Sequence, residues 1–170
     1  MSTLLQNLFN HYKRVICHKW YVLVSGLKVG VPFWNLVVHD FSKFMPFEAK
    51  GYVRRFYGDG DLEAWSHAWN HHQKNNPHHW EYWVMTPNGL ALEMPDKYAR
   101  EMFADWLGAS KGYGGSWPES INKWEWWQRN FKKINLHPKT RTKVLRIATD
   151  YFFSISVDEN KNLFQLMLSK

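Results

Sequence analysis

With 170 residues, 45% of them hydrophobic and 22% charged, the chain carries enough apolar material to close one core, which excludes a disordered tail protein. Lys and Arg number 22 against 15 Asp and Glu, a formal charge of +7 with histidine neutral, so anionic partners are expected. A single cysteine, Cys17, excludes an internal disulfide framework and a cysteine-built zinc site. A reducing compartment is the default, Cys17 reads as a buried structural thiol, and any transition-metal chemistry falls to the nine histidines.

The opening MSTLLQNLFNHYKR lacks the charged head, apolar run and small-residue cleavage site of a secretory signal, so the mature chain is expected to begin here and to reside in the cytoplasm. Leu4, Leu8, Tyr12 and Val15 recur at helical spacing, and His11 and His18, seven apart, line a margin of the stripe that contains Val15 and Val22. The most apolar stretch, Tyr21 to Val38, is near the length of a membrane span. It is interrupted by Lys28, Asn35, Gly26, Gly30 and Pro32, which favours two buried helices joined near Gly30-Val31-Pro32 and no membrane partner.

Further helix starts are marked by Pro46 with Glu48, by Asp61 with Glu63, and by Pro95-Asp96. Leu62, Trp65 and Trp69 make the stripe of one of these helices, and Tyr98, Met102 and Trp106 recur along another. Between them, Pro87-Asn88-Gly89 suits a short hairpin with a type I′ turn. Gly108 to Pro118 reads as a loop. In KWEWWQRNFKKINLHPKTRTKVLR, an amphipathic helix packing Trp124, Trp127 and Phe131 inward is favoured over a nucleic-acid surface, with His137-Pro138 in a turn. The expected fold is all-α, a single compact domain over 1–170 with six or seven helices.

Three polar features sit where apolar side chains belong. His72 continues the Leu62, Trp65 and Trp69 stripe, whereas His71 lies 100° away on an edge with Ala64 and Ala68; Asp105 falls among Tyr98, Met102 and Ala109; and His39-Asp40 ends the apolar run FWNLVV. A buried ionised carboxylate costs several kcal/mol unless paired, and a metal ion removes that cost. Imidazole and carboxylate together suit Mn, Fe, Co, Ni or Zn better than Mg alone. Eleven tryptophans and eleven phenylalanines are read first as core filling, and second as a stacking platform for bases.

The order His18, His39-Asp40, His71-His72, His78-His79, Asp105, with Lys43 in HDFSKF, resembles the HD-domain superfamily of metal-dependent phosphohydrolases. The stretch NHHQKNNPHHWEYW is similar to a group of small HD-like proteins, and the resemblance spans about Tyr12 to Gly108, leaving 113–170 as a C-terminal helical extension of no assigned role. It implies an HD-like helical bundle in which His18, His39, Asp40 and Asp105 hold a first divalent ion, with Asp40 able to bridge to a second held by His72 and His79. Of the two pairs His72 and His79 are taken ahead of His71 and His78, and the short QKNNP link requires the chain to fold back sharply at Pro77. Asp40 and Lys43 become the catalytic residues. Lys43, Arg54, Arg55 and Lys74 are candidates for binding phosphate, and Glu81 for orienting a ligating imidazole.

The implied activity is attack of a metal-activated water on a phosphoester of a nucleotide or of a cyclic or short oligonucleotide. The partner is an anionic phosphorylated small molecule, with single-stranded nucleic acid as a further candidate. Two other readings stand beside it: a di-iron oxygenase on the same ligands, and a non-enzymatic nucleotide or nucleic-acid binding module with a structural metal.

Overall fold

The computed structural model describes residues 3–85 and 88–168, with side chains described up to residue 157. Among these residues the chain forms seven α-helices and no strand. Helix α1 (Leu4–Val29) is capped by the Thr3 hydroxyl, which accepts from the Gln6 N–H, and it stops at Gly30, whose φ of 75° is the left-handed conformation glycine adopts without strain. Short α2 (Phe33–Val38) follows Pro32, and a 3-10 turn covers Phe41–Phe44. Pro46 opens α3 (Pro46–Tyr57), and the Asp61 carboxylate caps α4 (Leu62–Asn75) by accepting from the Ala64 N–H. A second 3-10 turn (Trp80–Trp83) leads towards α5 (Asp96–Gly114), which is followed by α6 (Glu125–Asn130) and α7 (Pro138–Leu168).

The architecture rests on two main pairings, α1 with α5 and α3 with α4, with α7 laid against α5. Both main crossings are close because small residues stand at them. A Cβ on Gly108 of α5 would meet Val22 Cγ2 at 2.8 Å and the Val22 nitrogen at 3.0 Å; one on Gly51 of α3 would meet the Ala64 oxygen and the Ala68 Cβ at 2.5 Å. The core under α5 contains Phe103, fully buried, with the rings of Trp124, Trp127 and Tyr151 edge-on to it. Trp127 stacks on Phe131 at 3.9 Å between ring centroids. Val144, Ile147 and Ala148 of α7 complete this cluster, so the C-terminal portion is an integral part of the core.

Several expectations are corrected. α5 runs through Gly108 as far as Gly114, because Gly108 is a packing residue against α1 and not the start of a loop. The buried face of α4 is Ala68 and His72, with Ala64 against α3, while Leu62 is exposed and Trp65 and Trp69 are half-buried. Small side chains are what the close crossing admits. α2 buries Leu36 but leaves Phe33, Trp34, Val37 and Val38 exposed, so the two-buried-helices expectation fails for its outer face. No described helix is long and apolar enough to cross a membrane. The hairpin reduces to one antiparallel bridge, Val84 with Ala91; Gly89 has a positive φ but Asn88 does not, so the turn is not type I′, and Pro87 lies outside the described residues. Cys17 is exposed, since the buried face of α1 passes instead through Asn7, His11, Val15 and Val22. The Trp124 segment is a short helix and a 3-10 turn (Phe131–Lys133), with His137 ahead of Pro138, the first residue of α7.

Three polar residues, Asn7, His11 and Ser25, are buried on α1. The Asn7 amide donates to the Tyr57 carbonyl, and His11 Nε2 donates to the Lys43 carbonyl at 3.1 Å, fastening α3 and the first 3-10 turn to α1. Burial lowers the His11 pKa below its ordinary value. The unfolded chain therefore takes up a proton here before the folded one does. Stability contributed by neutral His11 is complete above about pH 6.5 and is lost as pH falls towards the lowered folded value. Urea unfolding from pH 7.5 to 5 is expected to show this loss, and His11→Gln to flatten it; an unchanged slope in the variant would refute the assignment. Separately, Gly108→Ala is expected to cost about 1–3 kcal/mol by forcing α1 and α5 apart, read as a lower urea midpoint at constant m-value.

Candidate metal centre

The centre is built where the chain leaves α2. His39 is extended (φ −48°, ψ 128°) and Asp40 takes a left-handed conformation (φ 55°), the only non-glycine residue among those described with positive φ. Asp tolerates this region better than most residues, and the kink directs both consecutive side chains into the interior, where each is essentially inaccessible. The Lys19 ammonium donates to the carbonyls of Val37 and His39, fixing the strand of backbone that carries the pair.

The Asp40 carboxylate divides its two oxygens between two groups of imidazoles. Oδ2 lies 3.5 Å from His18 Nε2 and 3.6 Å from His39 Nε2; Oδ1 lies 3.1 Å from His72 Nε2 and 3.4 Å from His78 Nε2. Asp105 Oδ1 joins the first group, 2.8 Å from His18 Nε2 and 3.7 Å from His39 Nε2. His79 joins the second, and its ring centroid is 4.7 Å from that of His72. Each set, His18/His39/Asp105 and Asp40/His72/His78/His79, offers ligand atoms within 4.8 Å of one another. Atoms bound about 2.0–2.2 Å from one ion stand about 3.5 Å apart in a tetrahedron, so the spacing fits ligation.

Hydrogen bonding on the far side of the rings fixes which nitrogen faces inward. His39 Nδ1 meets Glu101 Oε1 at 3.0 Å, His78 Nδ1 lies 3.3 Å from the same oxygen, and His72 Nδ1 meets Glu48 Oε2 at 3.0 Å. Asn35 and Ser42 donate to the two carboxylates in turn. A carboxylate accepting from Nδ1 leaves the Nε2 lone pair for a metal. The Nε2 atoms of His39, His72, His78 and His79, together with Asp40 Oδ1, are buried without a hydrogen-bond partner. Five such orphans converging on one place are not tolerated in an ordinary core, and a bound metal ion would satisfy them.

The electrostatics agree. Burial alone would raise the Asp40 pKa, yet Lys43, His39 and His72 outweigh it and hold the carboxyl well below the usual range. Asp105 is likewise held low, against burial, by His18 and His39. Burial opposes charge on His39, but Asp40, Asp105 and Glu101 push its pKa up to about 10. A proton there substitutes for a cation. His79 moves the opposite way: burial, with His78 and His72 adjacent, depresses it well below the ordinary value, so its imidazole is neutral.

The residues expected from sequence divide clearly. His18, His39, Asp40, His72, His79 and Asp105 come together, and His78 joins them. His71 does not: it is partly exposed and its Nδ1 meets Glu48 Oε1 at 2.6 Å. Lys43 reaches the centre, its ammonium 2.6 Å from Asp40 Oδ2. The other expected cations do not. Arg54 is held by Asp59 at 2.8 Å and Asp61 at 2.7 Å, Arg55 lies over the rings of Phe56 and Trp65, and Lys74 donates to the Glu81 carbonyl. Glu81 stands 4.0 Å from His79 Nδ1, outside hydrogen-bond range, and burial raises its pKa.

The orienting role falls to Glu48 and Glu101, which the sequence reading missed. Glu101 precedes Asp105 by four residues, one helical turn, which was a usable signal; Glu48 was read only as a first-turn acid. Arg14, also missed, lies one turn before His18 and places its guanidinium 4.9 Å from the centroid of the Tyr113 ring. The QKNNP link closes because Asn76 bonds both Ser42 Oγ and the His72 carbonyl, while Trp83 Nε1 donates to the Pro77 carbonyl.

Residues 7–150 match a family model described as a family of unknown function, DUF5662. The chain belongs to this family. The DUF5662 match begins in α1 and ends in α7, so it covers every residue of the centre and also much of the C-terminal portion. No curated protein and no solved structure matches the chain.

Glu101→Gln is expected to weaken Co²⁺ or Zn²⁺ binding by about 10–100-fold in a calorimetric titration, with the helical circular dichroism spectrum retained. Unchanged affinity would contradict the orienting role of Glu101.

Proposed function

We propose that the chain is a metal-dependent phosphohydrolase in which His18, His39, Asp40, His72, His78, His79 and Asp105 would hold one or two divalent ions that would activate a water. The observation that carries this reading is the division of Asp40: one oxygen faces His18 and His39, the other faces His72 and His78, with unpartnered Nε2 atoms on both sides. The resemblance of the His-Asp order to HD-domain phosphohydrolases supports it, as does the net charge of +7. Two bound divalent ions supply hydroxide at neutral pH and neutralise charge on phosphoryl oxygens.

The chain's own residues account for the rest of the site. His79 and Asp105 line a cavity of about 270 Å³ that reaches the centre, together with Lys43 and Arg14. Asp40 overcomes burial and keeps Lys43 charged, its pKa above the ordinary lysine range. Lys43 therefore presents a fixed cation to a phosphoryl oxygen, and Arg14 can turn from Tyr113 to meet another. Trp69 stacks on His72 and meets His79 edge-on, excluding water from that flank of the ligands. With Cys17 as its one thiol, the protein suits a reducing, cytoplasmic setting.

The test is elemental analysis of protein purified without added metal, followed by a phosphoester panel with that metal restored. Asp40→Ala and His39→Ala are expected to lose bound metal and at least about 10³-fold in kcat/KM, more than about 4 kcal/mol of transition-state stabilisation, while retaining helical content. Full turnover in chelator-stripped protein would overturn the proposal. Iron content with an oxygen-dependent absorbance change and no hydrolysis would replace it with the oxygenase reading.

A further inference from the structure

Two cavities adjoin at the metal centre. The one of about 270 Å³ and a larger one of about 800 Å³ share Trp69, His79, Asp105, Ala109 and Tyr113. Beyond these residues each is walled by flat rings: Tyr52, Phe56 and Trp65 on one side, Trp80, Trp106 and Trp126 on the other. Trp65 is parallel to Trp69 within 8°, and Trp106 and Trp126 approach to 5.0 Å between centroids. Phe56 is 54% exposed and Trp126 36%, so both present surface to a ligand and contribute little to the core.

A phosphomonoester has one organic group and would occupy one such cavity, leaving the other without purpose. A phosphodiester has two. Resting on the function proposed above, we infer that the substrate is a nucleoside phosphodiester whose phosphate lies at His79 and Asp105, with one base stacked in each aromatic cavity. Rings of this kind accept any base through its π-face, and Arg14 and Lys43 supply positive charge on one flank. In the reaction the oxygen of a water bonds to phosphorus and the bond from phosphorus to one nucleoside oxygen breaks. That oxygen leaves with the electron pair and takes up a proton from the water, giving a nucleoside and a nucleoside monophosphate.

The probes are thymidylyl-thymidine and p-nitrophenyl phosphate with the metal-loaded full chain, and Phe56→Ala and Trp126→Ala as variants. Each variant is expected to lower kcat/KM for the dinucleotide about tenfold, while p-nitrophenyl phosphate, with one organic group, reports hydrolysis by the unaltered chain that does not require both cavities. A methylphosphonate-linked dithymidine, which is not hydrolysed and carries no charge at its bridge, isolates the stacking. Its Kd, from tryptophan fluorescence, is expected to rise about tenfold in each variant. Metal-dependent cleavage of the monoester alone would overturn the diester inference and leave the hydrolase reading intact. Loss of dinucleotide activity in one variant but not the other would overturn the two-sided arrangement. Cleavage of neither probe under any metal would overturn the hydrolase reading itself, and this inference with it.

Discussion

The structure is organised around one buried carboxylate. Asp40 is inaccessible to water, held ionised, and divided between four imidazole nitrogens and the Lys43 ammonium. A charge at that depth costs several kcal/mol unless it is compensated on every side. Much of the polar interior serves this end. The left-handed kink at Asp40 aims the group, Lys19 holds the carbonyl of the preceding residue, and His11 holds the carbonyl of Lys43. The centre thus depends on backbone anchorage as much as on its ligands.

Around this carboxylate lie two others that do not face the centre. Glu48 from α3 and Glu101 from α5 grip the outer nitrogens of His72, His39 and His78, and are themselves gripped by Ser42 and Asn35. This outer ring selects the tautomer of each imidazole. It also explains why burying His39, His72 and His78 is tolerable: each has one nitrogen facing a carboxylate, and the other is free to meet a cation.

The features legible in the sequence were those with a local signature. Helix boundaries at Pro46, Asp61 and Pro95 follow from capping chemistry, and Asp105 was conspicuous because a carboxylate on an apolar stripe demands a partner. His72 was selected over His71 for the wrong stripe: rotation about α4 placed both correctly relative to each other, but the packed face is that of Ala64 and Ala68. Hydrophobicity misled there because a close crossing excludes large rings, and Trp65 and Trp69 line a cavity instead. Glu48 and Lys19 were not legible as partners, since each acts on a residue 18 to 24 positions away, a pairing that only the fold creates. Arg54 looked available because its restraint by Asp59 and Asp61 depends on the turn between α3 and α4.

The glycine at the α1 and α5 crossing has a consequence for selectivity. His18 projects from α1 and Asp105 from α5, so the gap between these helices sets the gap between two side chains that could share one ion. Backbone-to-side-chain contact at Gly108 acts as a mechanical stop on that gap, and a stop of this kind would rank cations by ionic radius. For any metal held there, part of the choice would be written into a residue that has no side chain at all.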